Sequence, residues 1–165
     1  AAAENFTGAS PVKVDSSFTD RERAVFASAL NALPPCHQGR LSRVPLLRKN
    51  LGRKGEGCVA GQWNSYGAGE RIYLNSACGP LSVAVVTHEY MHVLGHENGG
   101  RRHKLYQSAT RRFGSCPVSA YARSGPREDF AEAGRMAYLP GSGGFSGSCV
   151  SSKVAEHKKL IDSCQ

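Results

Sequence analysis

Two histidines four residues apart, with a glutamate directly after the first, stand in THEYMHVLGHENGG, residues 87–100. In an α-helix successive residues are about 100° apart, so positions i and i+4 nearly superimpose. His88 and His92 therefore project from one face and can hold one metal ion, each at about 2.0–2.1 Å. Glu89 lies about 100° round the helix, near enough to reach a metal-bound water without ligating the ion. This is the HExxH arrangement, in which the glutamate is the general base. Each part has a job: a catalytic zinc ion lowers the pKa of its water toward roughly 7 and polarises a carbonyl, and the carboxylate collects the proton. The cluster interrupts an otherwise apolar segment beginning LSVAVV, where an unpaired polar group would be costly. The plainer alternative is a polar face paired within the helix.

Two sources of a third ligand compete. In the HExxHxxGxxH pattern a glycine turn brings a nearby ligand round to the metal. Gly95 fits that pattern, but the ligand position is Asn98, His96 falls two residues early, and Met136 lies within an expected helix. The other source is a later helix in SAYARSGPREDFAEA, residues 119–133, where Glu128 and Glu132 are spaced i, i+4. With Pro126 as the first helical residue, Glu128 falls in the first turn, where a carboxylate suits the helix dipole. Ala131 and Ala133 are small enough for a close approach to the HEYMH helix. One carboxylate is expected on zinc and the other on a ligand imidazole.

Tyr121, Glu128 seven residues on, and the run EDFAEA resemble the catalytic domain of anthrax lethal factor. They are equally similar to the secreted Pro-Pro endopeptidases. The resemblance covers roughly residues 70–135, and Asp129 stands where that family usually has an aromatic. It implies a zincin-like fold with Glu128 as the third zinc ligand. It further implies Tyr121 as donor to the tetrahedral oxyanion, Glu132 as the partner of a zinc histidine, and Glu89 as the base.

The elements that must position these groups can be read coarsely. Thr19 and Glu22 form a capping box for a helix, DRERAVFASALNAL, ended by Pro34 and Pro35. Short strands are expected at VPLL, GCVAGQW and RIYLN. RIYLN is similar to the edge strand on which zincins lay an extended peptide. The HExxH helix should occupy residues 81–94, started by Gly79-Pro80 and closed by Gly95. A basic helix HKLYQSATRRFG, the Pro126 helix, a GSGGFSGS loop and a final helix tied back through Cys164 follow. Strands precede helices instead of alternating with them, so the class is α+β. The architecture expected is a short strand-rich N-terminal sheet, an active-site helix and a mainly helical C-terminal half.

The chain of 165 residues is most simply one domain, spanning 1–165. Its longest apolar run falls short of the roughly 18 residues of a membrane helix. AAAENF would suit a mature N-terminus left after signal-peptide removal. Six dispersed cysteines without a CxxC pair fit disulfides and an oxidising, extracellular setting; six allow fifteen pairings. The net charge of +8, concentrated at 43–54 and 100–104, favours an anionic surface as partner, with no specific nucleic-acid motif. His37, His103 and His157 lack partners at ligand spacing and are expected on the surface, and Arg101 and Arg102 are candidates to flank the cleft. The reading is a secreted, monomeric, zinc-dependent endopeptidase with one catalytic zinc and a protein or peptide substrate. Its rivals are a secreted cationic binding protein with a structural or vestigial zinc site, and a zinc hydrolase of a non-peptide amide.

Overall fold

The computed structural model describes residues 8–55, 57–67 and 69–165. The AAAENF segment, with its suggested processed terminus, lies outside the described residues. Helix α1 (Asp20–Asn31) opens on the expected capping box. Thr19 Oγ1 accepts from the Glu22 N–H at 3.1 Å, and the Glu22 carboxylate accepts from the Thr19 N–H at 3.0 Å. Its buried face is Phe26, Ala29 and Leu30. The helix ends at Asn31, ahead of the two prolines, and Pro35 starts a short second helix, α2 (Pro35–Leu41). Proline suits that first position, where its missing N–H has no intrahelical partner to lose.

Short strands follow: β1 (Leu46–Arg48), β2 (Arg53–Lys54), β3 (Gly57–Cys58), β4 (Gly61–Asn64) and β5 (Arg71–Leu74). The main sheet has the order β1-β5-β4, with β1 parallel and β4 antiparallel to β5. β2 and β3 pair separately as a small hairpin. Two expectations change here. GCVAGQW is not one strand, since Cys58 and Gly61 belong to different sheets. RIYLN is the central strand, with Ile72 and Leu74 fully buried, and the edge beside the HExxH helix is β4.

Helix α3 (Val83–Thr110) is capped by Ser82, whose side chain accepts from the Val85 N–H, so Pro80 lies ahead of the cap. Gly95 does not close it. The break comes at residues 97–100, where Glu97 is extended and Asn98, Gly99 and Gly100 have φ of 53°, 67° and 79°. Gly95 serves close approach instead: a Cβ there would lie 2.5 Å from His103 Nε2 and 2.8 Å from a Phe130 ring carbon. Beyond the break the second half carries Arg102, which donates to the Leu94 carbonyl at 3.0 Å and to Glu97 at 2.7 Å. Arg102 is thus a buried clamp on the end of the HExxH half, not a cleft residue.

Helices α4 (Pro126–Tyr138) and α5 (Ser148–Asp162) pack with α3 around one cluster of buried apolar side chains that reaches from Phe18 to Ile161. Asp129 is structural in this setting, accepting from the Tyr106 hydroxyl and the Val118 N–H and pairing with Lys153 at 2.7 Å. The connection between α4 and α5 is a loop, pinned by the Phe145 N–H on the Val118 carbonyl. The histidines expected at the surface turn inward. His157 is fully buried, His37 is buried with Nε2 on the Ile161 carbonyl at 2.8 Å, and His103 packs on Phe130 with ring centroids 4.4 Å apart.

All six cysteines pair, as Cys36–Cys164, Cys58–Cys78 and Cys116–Cys149. The first ties the chain's end to α2. The second staples the β2–β3 hairpin to the turn before α3, and the third anchors the segment before Tyr121 to α5. The architecture is α+β, and no helix among the described residues is long and apolar enough to cross a membrane.

Candidate metal centre

His88 and His92 stand one turn apart on α3, and Glu128 and Glu132 stand one turn apart on α4. Ala131 and Ala133 are fully buried, as a close contact between the two helices requires. His88 Nε2 lies 2.9 Å from Glu128 Oε2, His92 Nε2 lies 3.3 Å from Glu128 Oε1, and the two Nε2 atoms are 3.1 Å apart. Ligands held tetrahedrally at 2.0–2.1 Å from one ion are about 3.3 Å from each other. The two nitrogens and the two oxygens of one carboxylate therefore converge at 2.9–3.3 Å, close to the spacing a zinc ion demands, and two imidazoles with one carboxylate form a donor set suited to it.

Glu132 faces the other ring nitrogen. Its Oε2 accepts from His88 Nδ1 at 2.9 Å, which orients the ring with Nε2 toward Glu128. Its Oε1 accepts from Ser119 Oγ at 2.8 Å, and Arg135 donates to both oxygens at 2.8 and 3.1 Å. The geometry thus separates the two glutamates that sequence spacing left equivalent. Burial works to lower the His88 pKa, but the hydrogen bonds to Glu128 and Glu132 reverse this and raise it to about 9. For Glu128, burial pushes up, and the bonds from His88 and His92 more than offset it, leaving the carboxyl well below its usual range.

Glu89 is buried on His88's helix, and its Oε2 has no hydrogen-bond partner among the described residues. Burial raises its pKa, against the pull of His88 and His92, which suits a base that must hold a proton briefly. The Trp63 backbone of β4 faces this carboxylate and counters part of that rise. Gly61 permits that proximity, because a Cβ there would lie 2.9 Å from Glu89 Oε1. The Trp63 ring stacks toward His92, with centroids 6.4 Å apart, and its Nε1 donates to Glu70 at 2.9 Å.

Tyr121 sits in a 3-10 turn, Tyr121–Ser124, with its ring 5.5 Å from that of His88. Burial, followed by the charges of Glu128, Glu89 and Glu132, pushes its pKa up to about 12, so it is a donor at neutral pH. Ser119 Oγ also accepts from the Ala122 N–H at 3.1 Å. It therefore links the Tyr121 turn to Glu132, and through Glu132 to His88. Sequence reasoning missed Ser119 and Arg135. Arg135 was legible as the i+3 neighbour of Glu132, whereas nothing local marks Ser119.

A cavity of about 470 Å³ adjoins His88, Glu89 and Tyr121 and is walled by Val59, Ala60, Ala84 and Val85. A second group of potential ligands, Cys36, His37 and Cys164, offers no thiolate because its cysteines are joined in a disulfide. Comparison with protein-family models, curated proteins and solved structures returned no match to this chain, so the reading of its centre rests on its own geometry.

Proposed function

We propose that this chain is a secreted zinc-dependent endopeptidase of zincin-like architecture. The observation that carries the reading is the convergence of His88 Nε2, His92 Nε2 and a Glu128 carboxylate at 2.9–3.3 Å, beside the buried, unpartnered Oε2 of Glu89. A structural metal site needs neither a free carboxylate nor a tyrosine, and this centre has both.

His88, His92 and Glu128 would hold the zinc. The bound ion would supply Lewis acidity, polarising a substrate carbonyl and acidifying a water. Glu89 takes the proton from the attacking water and returns it to the leaving amine. Tyr121, protonated at neutral pH, donates a hydrogen bond to the oxygen on which charge develops. Glu132 keeps the His88 ring in one orientation, with Arg135 and Ser119 holding Glu132 in turn. The edge strand β4 runs beside Glu89 and is suited to pair with an extended peptide main chain. The disulfides and the lack of a spanning helix among the described residues agree with an extracellular setting.

The test is zinc content measured beside cleavage of a peptide library by the wild type and by Glu89→Ala. Zinc at one per chain in both, with cleavage only by the wild type, is expected. The loss should reach roughly 10²–10⁴ in rate. Zinc in both without cleavage in either would shift the reading to a non-peptide amide or a binding role. Zinc in neither would undo it.

A further inference from the structure

We propose that the centre selects peptides carrying an acidic side chain, held by Lys54 and Arg127 next to Tyr121. This inference rests on the peptidase reading and specifies its substrate class. A second cavity, of about 400 Å³, is bordered by Lys54, Gln107, Tyr121, Ser124, Arg127 and Glu128. It shares Lys54 and Tyr121 with the larger cavity, so the two meet at the tyrosine assigned to the reacting carbonyl. Side chains of one substrate on either side of that carbonyl would enter different surroundings.

The larger cavity has apolar walls. Its cation at the Glu132 end, Arg135, is committed to Glu132 and to the Ser142 carbonyl and hydroxyl, each at 2.8–3.1 Å. The smaller cavity differs. Lys54 and Arg127 are exposed, and among the described residues neither has an ion pair or hydrogen bond to a carboxylate. The one carboxylate at its border, Glu128, has its two oxygens turned to His88 and His92, at 2.9 and 3.3 Å. Among the described residues, then, two cations without an acidic partner border a space whose remaining polar side chains, on Gln107 and Ser124, are uncharged. A carboxylate side chain is the complement, and the chain's net charge of +8 adds a favourable long-range field.

Lys54 arrives on the β2–β3 hairpin, held by the Cys58–Cys78 disulfide, and Arg127 on the first turn of α4. Both sit on anchored elements, so their separation is defined by the fold. Aspartate or glutamate at one fixed distance from the scissile bond is the expected signature.

The experiment uses the zinc-loaded chain and the exposed double variant Lys54→Glu/Arg127→Glu, with quenched fluorescent peptides in which single positions are fixed as Glu or as Gln. At one position the wild type should favour Glu over Gln by roughly tenfold in kcat/KM, as two solvent-exposed ion pairs allow. The preference should shrink as salt is raised and reverse in the double variant. Cleavage by the wild type with equal rates for Glu and Gln at every position, or with the same ratio in both proteins, overturns the inference and leaves the peptidase reading standing. A binding measurement separates the converse case. Fluorescein-labelled Glu and Gln peptides are titrated with Glu89→Ala, with and without the charge reversals. Tighter binding of Glu peptides that is lost on reversal, in a chain whose wild type cleaves nothing, supports the acidic-ligand site while the peptidase reading fails. Equal binding of both peptides overturns the inference.

Discussion

His88 and His157 are both buried histidines on helices packed against α4, yet their chemistry is opposite. On one side of α4, Glu128 and Glu132 reach both ring nitrogens of His88, and its pKa rises to about 9 although burial alone would lower it. On the other side, His157 meets Phe130 at 4.3 Å and Tyr106 at 5.6 Å between ring centroids. Neither of its nitrogens has a hydrogen-bond partner among the described residues, and burial drives its pKa down to about 3. His103, beside it, falls to about 4, again chiefly through burial. The partners, not the depth, decide what a buried imidazole can do. Paired with carboxylates it is oriented for a metal; among aromatic rings it is a neutral packing group whose protonation the fold resists.

The largest effect beyond Glu89 belongs to the partnered side. Tyr121→Phe should slow the chemical step by roughly 10²–10³ while zinc content and circular dichroism stay unchanged. An unaltered rate would remove Tyr121 from the mechanism and reduce its contact with His88 to packing. Glu132→Gln comes next. It keeps the size of the side chain but removes the charge that holds His88, so zinc affinity measured by competition with a chelator should fall about 10- to 100-fold. Retained affinity would mean that Glu132 belongs to the fold and not to the metal.

The unpartnered side gives the smallest effect and the sharpest contrast. The unfolded chain takes up a proton on His157 near its ordinary pKa of 6.5, whereas the folded chain refuses it until about 3. Stability is therefore lost as pH falls from 6.5 toward 3, by about 2 kcal/mol at pH 5. His157→Leu should remove about that much from the difference between urea unfolding at pH 7.5 and at pH 5. An unchanged pH dependence would show that His157 finds a proton acceptor in the folded chain, and the comparison would collapse.

The parts of the centre that were legible lie within single helices. A spacing of four residues places His88 over His92 and Glu128 over Glu132 in any helix, because the rotation per residue is constant. The same local rule located Glu89, and the Thr19 capping box was equally plain. Periodicity does not say what lies across a helix face. RIYLN has strand composition whether central or at an edge, and β5 is central because β1 and β4 both pair with it. His157 has polar neighbours in sequence and apolar ones in space, so its burial was invisible. Gly95 looked like a helix stop by residue type, while its value is the room it leaves for His103 and Phe130.

Residue spacing alone put one pair of imidazoles, His88 and His92, and one pair of carboxylates, Glu128 and Glu132, each on a single helix face, since helical geometry is a property of the backbone. That Glu128 meets both Nε2 atoms while Glu132 takes Nδ1, which cysteines pair, and that Ser119 and Arg135 complete the support follow from packing across the fold. Those choices depend on the crossing of α3 over α4 and on how closely they pack, quantities set by side chains distant in sequence and summed over the whole core.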